Sequence, residues 1–402
     1  RGKTASRICL ALLCGWAALL VALTVKTGSV CHTDMPWDTV SMLDGAYRMR
    51  SGQVPNVDYF SPVGVLPVWL IELGMRWGGV DANAVARGTV FAFLTLTPLA
   101  WWVASRRFAA VPALLWAMFI GGLVIARRPL PFGTLPYDFE FSHLSYAMWY
   151  NRLGWALLTL FALYWFVPPF PGNEKRWTGT AEALAIGAVG GLLAMSKVNY
   201  IAGALGVMLA ACWFARPTLR RVLVFAAGAA AAPAAVSLLT GWSVRAWWGD
   251  LVELARVADV SDRLGKSLAA LSNNIPALLL LLAALAALWP LLKGGTIRAC
   301  VLAGACAGVG LTVLILNTQY TEIPLLAVGC ALLLEAALRR EEGGFNEAAL
   351  PRLGVAACAG LALMGWTMVS DNASVAYAWA ARNYFYYLTP REAMIAAPPL
   401  RA

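Results

Sequence analysis

The chain has 402 residues, of which 60% are hydrophobic and 13% charged. A water-soluble domain carries about 25% charged residues, so most of this chain must be solvated by lipid. Its formal charge of +10 is dispersed as small basic clusters between apolar runs; that is the pattern of a membrane protein with a positive inside, so membrane lipid is an expected partner and nucleic acid is not.

The eight cysteines (Cys9, Cys14, Cys31, Cys212, Cys300, Cys306, Cys330 and Cys358) form no CxxC pair, and most lie inside apolar runs, where cysteine acts as a small hydrophobe. Residues 8–25 resemble a signal-peptide core, but no small-residue cleavage site follows; they read as a retained first span. A spanning helix takes about 20 mostly apolar residues. Runs of that kind lie at 8–26, 63–79, 88–104, 109–126, 153–168, 181–198, 199–215, 222–240, 275–292, 299–316, 321–338 and 353–370.

Twelve spans conflict with the charges. With Arg1, Lys3 and Arg7 in the cytoplasm, keeping 63–79 outside as a surface helix resolves the pattern. Arg106-Arg107, Lys175-Arg176, Arg216 with Arg220-Arg221, Lys293 with Arg298, and Arg339-Arg340 then all become cytoplasmic. The run 63–79 is also short, holds Pro67, Glu72 and Arg76, and ends in Gly78-Gly79. The expectation is an all-α polytopic protein, a single transmembrane domain over 1–402 with about 11 transmembrane helices and external amphipathic helices. It would sit as a multi-pass protein in a cell (inner) membrane, N-terminus cytoplasmic and C-terminus external. The external parts are 27–87, 127–152, 241–274, a short link near Asn317–Tyr320, and the tail 371–402. Arg127, Arg128 and Arg152 fall on the wrong side for a positive-inside protein, which marks them for function.

In the first external segment, Asp38 follows Pro36 and precedes a helical periodicity through Val40, Leu43, Ala46-Tyr47 and Met49. Gly52 ends that helix. An aspartate there is either a helix N-cap or a functional carboxylate; His32, Asp34 and Asp44 are its acidic and titratable neighbours. A turn with Pro55, Asp58, Tyr59, Phe60 and Pro62 leads into the surface helix. The second external segment carries Tyr137-Asp138-Phe139-Glu140 and His143, with Tyr150-Asn151-Arg152 at the mouth of the next span. Further on, Lys197 interrupts the apolar stretch 181–215. An ionisable residue in such a place is costly and by default functional, unless it snorkels to the interface between two spans. The loop 241–274, with Trp242, Trp247-Trp248 and an apolar set at Leu251, Leu254, Val257 and Leu264, reads as an interfacial amphipathic helix.

The order of these parts resembles the first external loop of the GT-C membrane glycosyltransferases, a superfamily that includes oligosaccharyltransferases, protein mannosyltransferases and aminoarabinose transferases. One span leads to an acid before an external helix, a glycine ending, a Pro/Tyr/Phe turn and a membrane-surface helix. The resemblance covers roughly residues 8–170. It implies transfer of a sugar from a polyprenyl-phosphate donor to an acceptor at the external (periplasmic) face, with Asp38, or Asp34 beside it, as general base. A single carboxylate acting as base fits an inverting displacement. The departing lipid phosphate requires cations and donors, for which Arg127, Arg128, Arg152, Lys197, His143, Tyr150 and Asn151 are the candidates. The resemblance to oligosaccharyltransferases further implies a divalent metal (Mg or Mn) held by Asp38, Asp138 and Glu140. Two other readings stand beside this one: a polytopic lipid or solute transporter, and a non-catalytic membrane subunit in which the loop acids serve as caps and contacts.

Overall fold

The computed structural model describes residues 3–28, 36–61, 63–127, 146–169, 176–215, 217–257, 263–291, 297–317, 323–340 and 349–388. Among them the regular structure is helical throughout. The helices are α1 (Lys3–Thr27), α2 (Pro36–Arg50), α3 (Val65–Gly78), α4 (Ala84–Ser105), α5 (Ala110–Ile125), α6 (Trp149–Phe166), α7 (Arg176–Ser196), α8 (Val198–Ala215), α9 (Leu219–Thr240), α10 (Val244–Val257), α11 (Arg263–Leu288), α12 (Ile297–Asn317), α13 (Leu325–Arg340) and α14 (Leu350–Leu388).

Seven of these helices, α1, α4, α7, α9, α11, α12 and α14, are long and apolar enough to cross a bilayer, and α5, α8 and α13 are shorter apolar helices. Every residue of the 18-residue α6 is buried. A helix wrapped in other helices needs no uniformly apolar surface, so α6 can carry Asn151 and Arg152 inside the bundle. The helices left over, α2, α3 and α10, are the segments read from sequence as surface helices. At 14 residues α3 rises roughly 21 Å at 1.5 Å per residue, well short of a hydrocarbon core about 30 Å thick.

The two ends of α6 define two ends of the bundle. Near its start, Tyr200 of α8 donates from its hydroxyl to the Asn151 carbonyl at 2.7 Å. Near its finish, Arg107 in the α4–α5 turn donates to the carbonyls of Val167, at 2.8 Å, and Tyr164, at 3.3 Å. This second end concentrates basic side chains. Arg106 and Arg107 both pair with Glu182 of α7, and Arg221 of α9 donates to the Tyr164 hydroxyl at 2.8 Å. These are the arginines that the charge pattern grouped on one side of the membrane.

Small residues let the two helices on either side of α8 touch directly. A Cβ built on Gly187 of α7 would lie 2.1 Å from the Phe225 carbonyl oxygen of α9, and one on Gly191 2.5 Å from that of Ala229. The pair forms a G-x-x-x-G stripe against the alanine-rich face of α9, the arrangement by which membrane helices gain van der Waals contact that lipid tails cannot replace.

The last helix departs from expectation. Residues from 371 onward, read as tail, continue α14 without a break to Leu388. Asp371 is buried there and pairs with Arg152 of α6, while Asn372 accepts a 2.9 Å hydrogen bond from the Trp16 indole. Neutralising Asp371 against Arg152 allows the helix to carry an acid inside the bundle, where an unpaired charge is costly.

Candidate active site

Asp38 lies in the first turn of α2, one residue beyond an exposed Trp37 and one before the buried Thr39. It does not cap its own helix, which begins at Pro36. Its carboxylate instead accepts a hydrogen bond from the backbone N–H of Met148, the residue that precedes α6. Met148 sits at φ 56, ψ 21, a left-handed conformation that a long side chain rarely adopts and that concentrates at functional sites.

Lys197 comes from the other side. It is the single residue between α7 and α8, so it stands outside both spans. Its Nζ donates to Asn151 Oδ1 at 3.3 Å and lies 5.1 Å from the centre of the Tyr150 ring. The α7 end that presents it is held by α3: Gly64 donates its N–H to the Ser196 carbonyl at 3.1 Å. A Cβ on Gly64 would fall 2.0 Å from the Met195 carbonyl oxygen, so only glycine permits the approach. Four segments distant in sequence thus converge: the start of α2, the entry to α3, the start of α6 and the α7–α8 joint.

The electrostatics follow from burial. Desolvation raises the Asp38 carboxyl above its ordinary value, and the Lys197 charge with the Met148 N–H only partly offset this. Burial likewise pushes the Lys197 ammonium down to about 8, against the favourable charge of Asp38. The two charges influence each other, yet no direct ion pair joins them among the described residues. Two polar atoms in the cluster are buried without a hydrogen-bond partner, Asp38 Oδ2 and Asn151 Nδ2. Buried polar groups are normally satisfied, and exceptions of this kind mark places built for something else. An acceptor, a donor and a cation here face one small volume.

The other expected residues are placed as follows. Tyr150 and Asn151 are in the cluster. Arg152, one position on, points to the opposite side of α6, where it pairs with Asp371 and donates to the Leu123 carbonyl at 3.1 Å. Arg127 is fully buried at the end of α5, donates to the Gly28 carbonyl at 2.6 Å and lies 4.9 Å from the centre of the Tyr146 ring. Its Nε and Nη1 have no acceptor. Asp34, Arg128, Asp138, Glu140 and His143 lie outside the described residues. Of the three carboxylates expected to hold a metal, only Asp38 can be located. Lys197 and the Met148 N–H stand beside it, and the described residues contain no group of three metal-ligating side chains. They do not by themselves fit a metal centre, and no step below is derived through one.

Residues that the sequence reading passed over complete the frame. Met148 contributes a backbone N–H, for which no side-chain pattern gives notice, and Asp371 was assigned to the tail. Asn56, at φ 63, is buried where the α2–α3 turn meets α10. Its Nδ2 donates to the Ser61 carbonyl at 2.8 Å and to Asp250 Oδ2 at 2.7 Å, while its Oδ1 accepts from the Trp242 indole at 3.0 Å. The loop 241–274 is thereby fastened to the segment that leads from Asp38 into α3.

This arrangement of a helical bundle, with short helices over one end and a loop acid turned inward, is the GT-C-like fold expected from the first external segment. It is shared by the crystal structure of ArnT from Cupriavidus metallidurans bound to undecaprenyl phosphate, with a TM-score of 0.50 at 12% identity over 95% of this chain and 78% of that one. The apo state of the same ArnT gives a TM-score of 0.50 at 12% identity, over 95% and 77% of the two chains. The likeness is one of fold. No protein-family model matches the chain, and no curated protein matches it in sequence.

Proposed function

We propose that this protein is a membrane glycosyltransferase that moves a sugar from a polyprenyl-phosphate carrier to an acceptor at the face of the membrane bearing Asp38. The observation that carries the reading is the half-buried Asp38 carboxylate, with raised proton affinity and one unpaired oxygen, set against the Lys197 ammonium. An ArnT of the same fold has been crystallised with undecaprenyl phosphate, which supports a carrier of that class.

In this reading Asp38 takes the proton from the attacking acceptor group. Its raised pKa brings the base nearer to neutral pH, where proton transfer is most effective. The new glycosidic bond forms as the bond from the anomeric carbon to the carrier phosphate breaks, with inversion, and the electron pair leaves on phosphate oxygen. Lys197 receives that developing charge, held in place by Asn151 and the Tyr150 ring. Arg127, with two unmet donors, is the further phosphate contact assigned here. Asp34, Arg128 and His143 remain assigned to the acid–base and phosphate-binding set by their sequence positions, as does a divalent metal on Asp38, Asp138 and Glu140.

Asp38→Asn tests the base. Loss of a positioned base lowers turnover about 10²- to 10⁴-fold, while undecaprenyl phosphate binding should persist because the phosphate-facing groups are intact. The measurement is transfer from synthetic undecaprenyl-phosphate sugars in proteoliposomes, with carrier binding followed in parallel. Full transfer by the variant, wherever wild type is active, removes Asp38 from the mechanism.

A further inference from the structure

The end of the bundle away from Asp38 holds a cavity of about 370 Å³ between α5, α13 and α14, lined among others by Phe108, Trp116, Cys330, Leu334, Gly360 and Met364. Its charged wall residues are Arg107 and Glu335. Arg107 is committed to Glu182 and to the carbonyls of Val103, Tyr164 and Val167, so it offers little to a polar guest. Water in a cavity needs about 2–4 polar partners, which these walls do not supply. In a chain solvated by hydrocarbon, a space of this polarity fills with hydrocarbon.

The shape gives the length of the guest. Along α13 the lining runs from Ala327 to Leu338, roughly 16 Å at 1.5 Å per residue. That is about half of a hydrocarbon core some 30 Å thick, the depth of one leaflet. The charge around the mouth gives the head group. Arg352 is exposed on the first turn of α14, one turn before the lining residue Ala356. Helix α13 ends on Arg339-Arg340 directly after Leu338, and Arg106 and Arg107 share the single carboxylate of Glu182. Glu335 opposes them on the wall; Glu341-Glu342 follow in the chain outside the described residues.

We propose that this cavity is a lipid site that takes one acyl chain of an anionic glycerophospholipid from the leaflet on the Arg106–Arg107 side, with the lipid phosphate beside Arg352. The site is separate from the carrier site, because the two lie at opposite ends of α6. The guest wedges α5 against α13 and α14, where protein side chains leave the space unfilled.

Native mass spectrometry of the delipidated full chain tests the proposal, titrated with palmitoyl-oleoyl phosphatidylglycerol and, separately, with phosphatidylcholine of the same chains. Wild type should retain one phosphatidylglycerol, at least fivefold more tightly than phosphatidylcholine. Ala331→Trp and Ala357→Trp, which fill the cavity from two walls, should each weaken that adduct at least tenfold. Arg352→Gln, an exposed change that leaves the cavity intact, should bring the two lipids to equal affinity. Prior saturation with undecaprenyl phosphate should leave the phosphatidylglycerol adduct in place. Absence of a saturable adduct in wild type, full retention by the cavity-filling variants, or displacement by undecaprenyl phosphate overturns the site. Equal binding of both lipids by wild type, or an unchanged preference in Arg352→Gln, overturns the anionic assignment even where a tryptophan variant fails to fold.

Discussion

Lys197→Met removes a charge while keeping a long unbranched side chain at the α7–α8 joint. The lost contact is a hydrogen bond from a charged donor to the carrier phosphate, worth about 1.5–3 kcal/mol. Because about 1.4 kcal/mol is a factor of ten, affinity for undecaprenyl phosphate should fall about 10- to 100-fold. The pH dependence makes the test specific. Burial lowers the Lys197 pKa to about 8, so the ammonium is present below that value and lost as pH rises through it. Wild-type affinity should therefore decline above about pH 8, whereas Lys197→Met should show weak binding without that decline. Lys197→Arg keeps its charge throughout, since a guanidinium titrates above about 12, and should bind well without the alkaline loss. The assay is equilibrium binding of radiolabelled undecaprenyl phosphate to nanodisc-embedded protein from neutral to alkaline pH. Equal affinities for wild type and Lys197→Met, or the same alkaline decline in both, refute the assignment of Lys197 to the phosphate.

Three further outcomes concern the frame of the site. Removing one partner of the buried Arg152–Asp371 pair, by Asp371→Leu, should destabilise the bundle by about 3–5 kcal/mol, and the double change Arg152→Leu/Asp371→Leu should recover part of it. Thermal unfolding in detergent measures both, and a double variant weaker than either single one contradicts the pairing. Gly191→Leu forces α7 from α9 where a Cβ alone would approach Ala229 O to 2.5 Å; overpacking of this kind costs about 1–3 kcal/mol, read as a lowered midpoint in the same assay. Asn56→Ala deletes three hydrogen bonds fastening α10, each worth about 0.5–1.5 kcal/mol. Tryptic cleavage at the exposed Arg256 should then accelerate at least fivefold, and an unchanged rate shows that α10 is held by other contacts.

The architecture was legible where it depends on the bilayer. The exclusion of 63–79 from the spans came from charge alone, and the 14-residue α3 is too short to cross. The helix from Asp38 to Gly52 was likewise visible, because its apolar spacing and its glycine stop are local. Lys197 drew notice as a charge within an apolar stretch, and it stands at the joint of two spans. Other features were not legible, because they arise from long-range packing. The facing of Asp38 and Lys197 depends on Gly64 meeting the end of α7. The Met148 N–H has no side-chain signature, and its positive φ belongs to a residue type that gives no warning. Asp371 was misplaced because a hydropathy boundary ends a span at the first acid, whereas the fold neutralises that acid with Arg152 and continues α14. Arg152 illustrates the converse: a basic residue on the unexpected side reads as a ligand for phosphate, yet on α6 it turns away from Asn151 toward an acid that the sequence did not connect to it.

The central claim is that one volume bounded by Asp38, Asn151 and Lys197 receives the phosphate of a polyprenyl carrier. Cryo-electron microscopy of the nanodisc-embedded protein saturated with undecaprenyl phosphate examines it directly. The account predicts head-group density within hydrogen-bond distance of Lys197 Nζ, beside the Asp38 carboxylate, with the prenyl chain leading away into the bilayer. Head-group density at the Arg106–Arg107 end, or an ordered carrier that leaves Lys197 untouched, would contradict it.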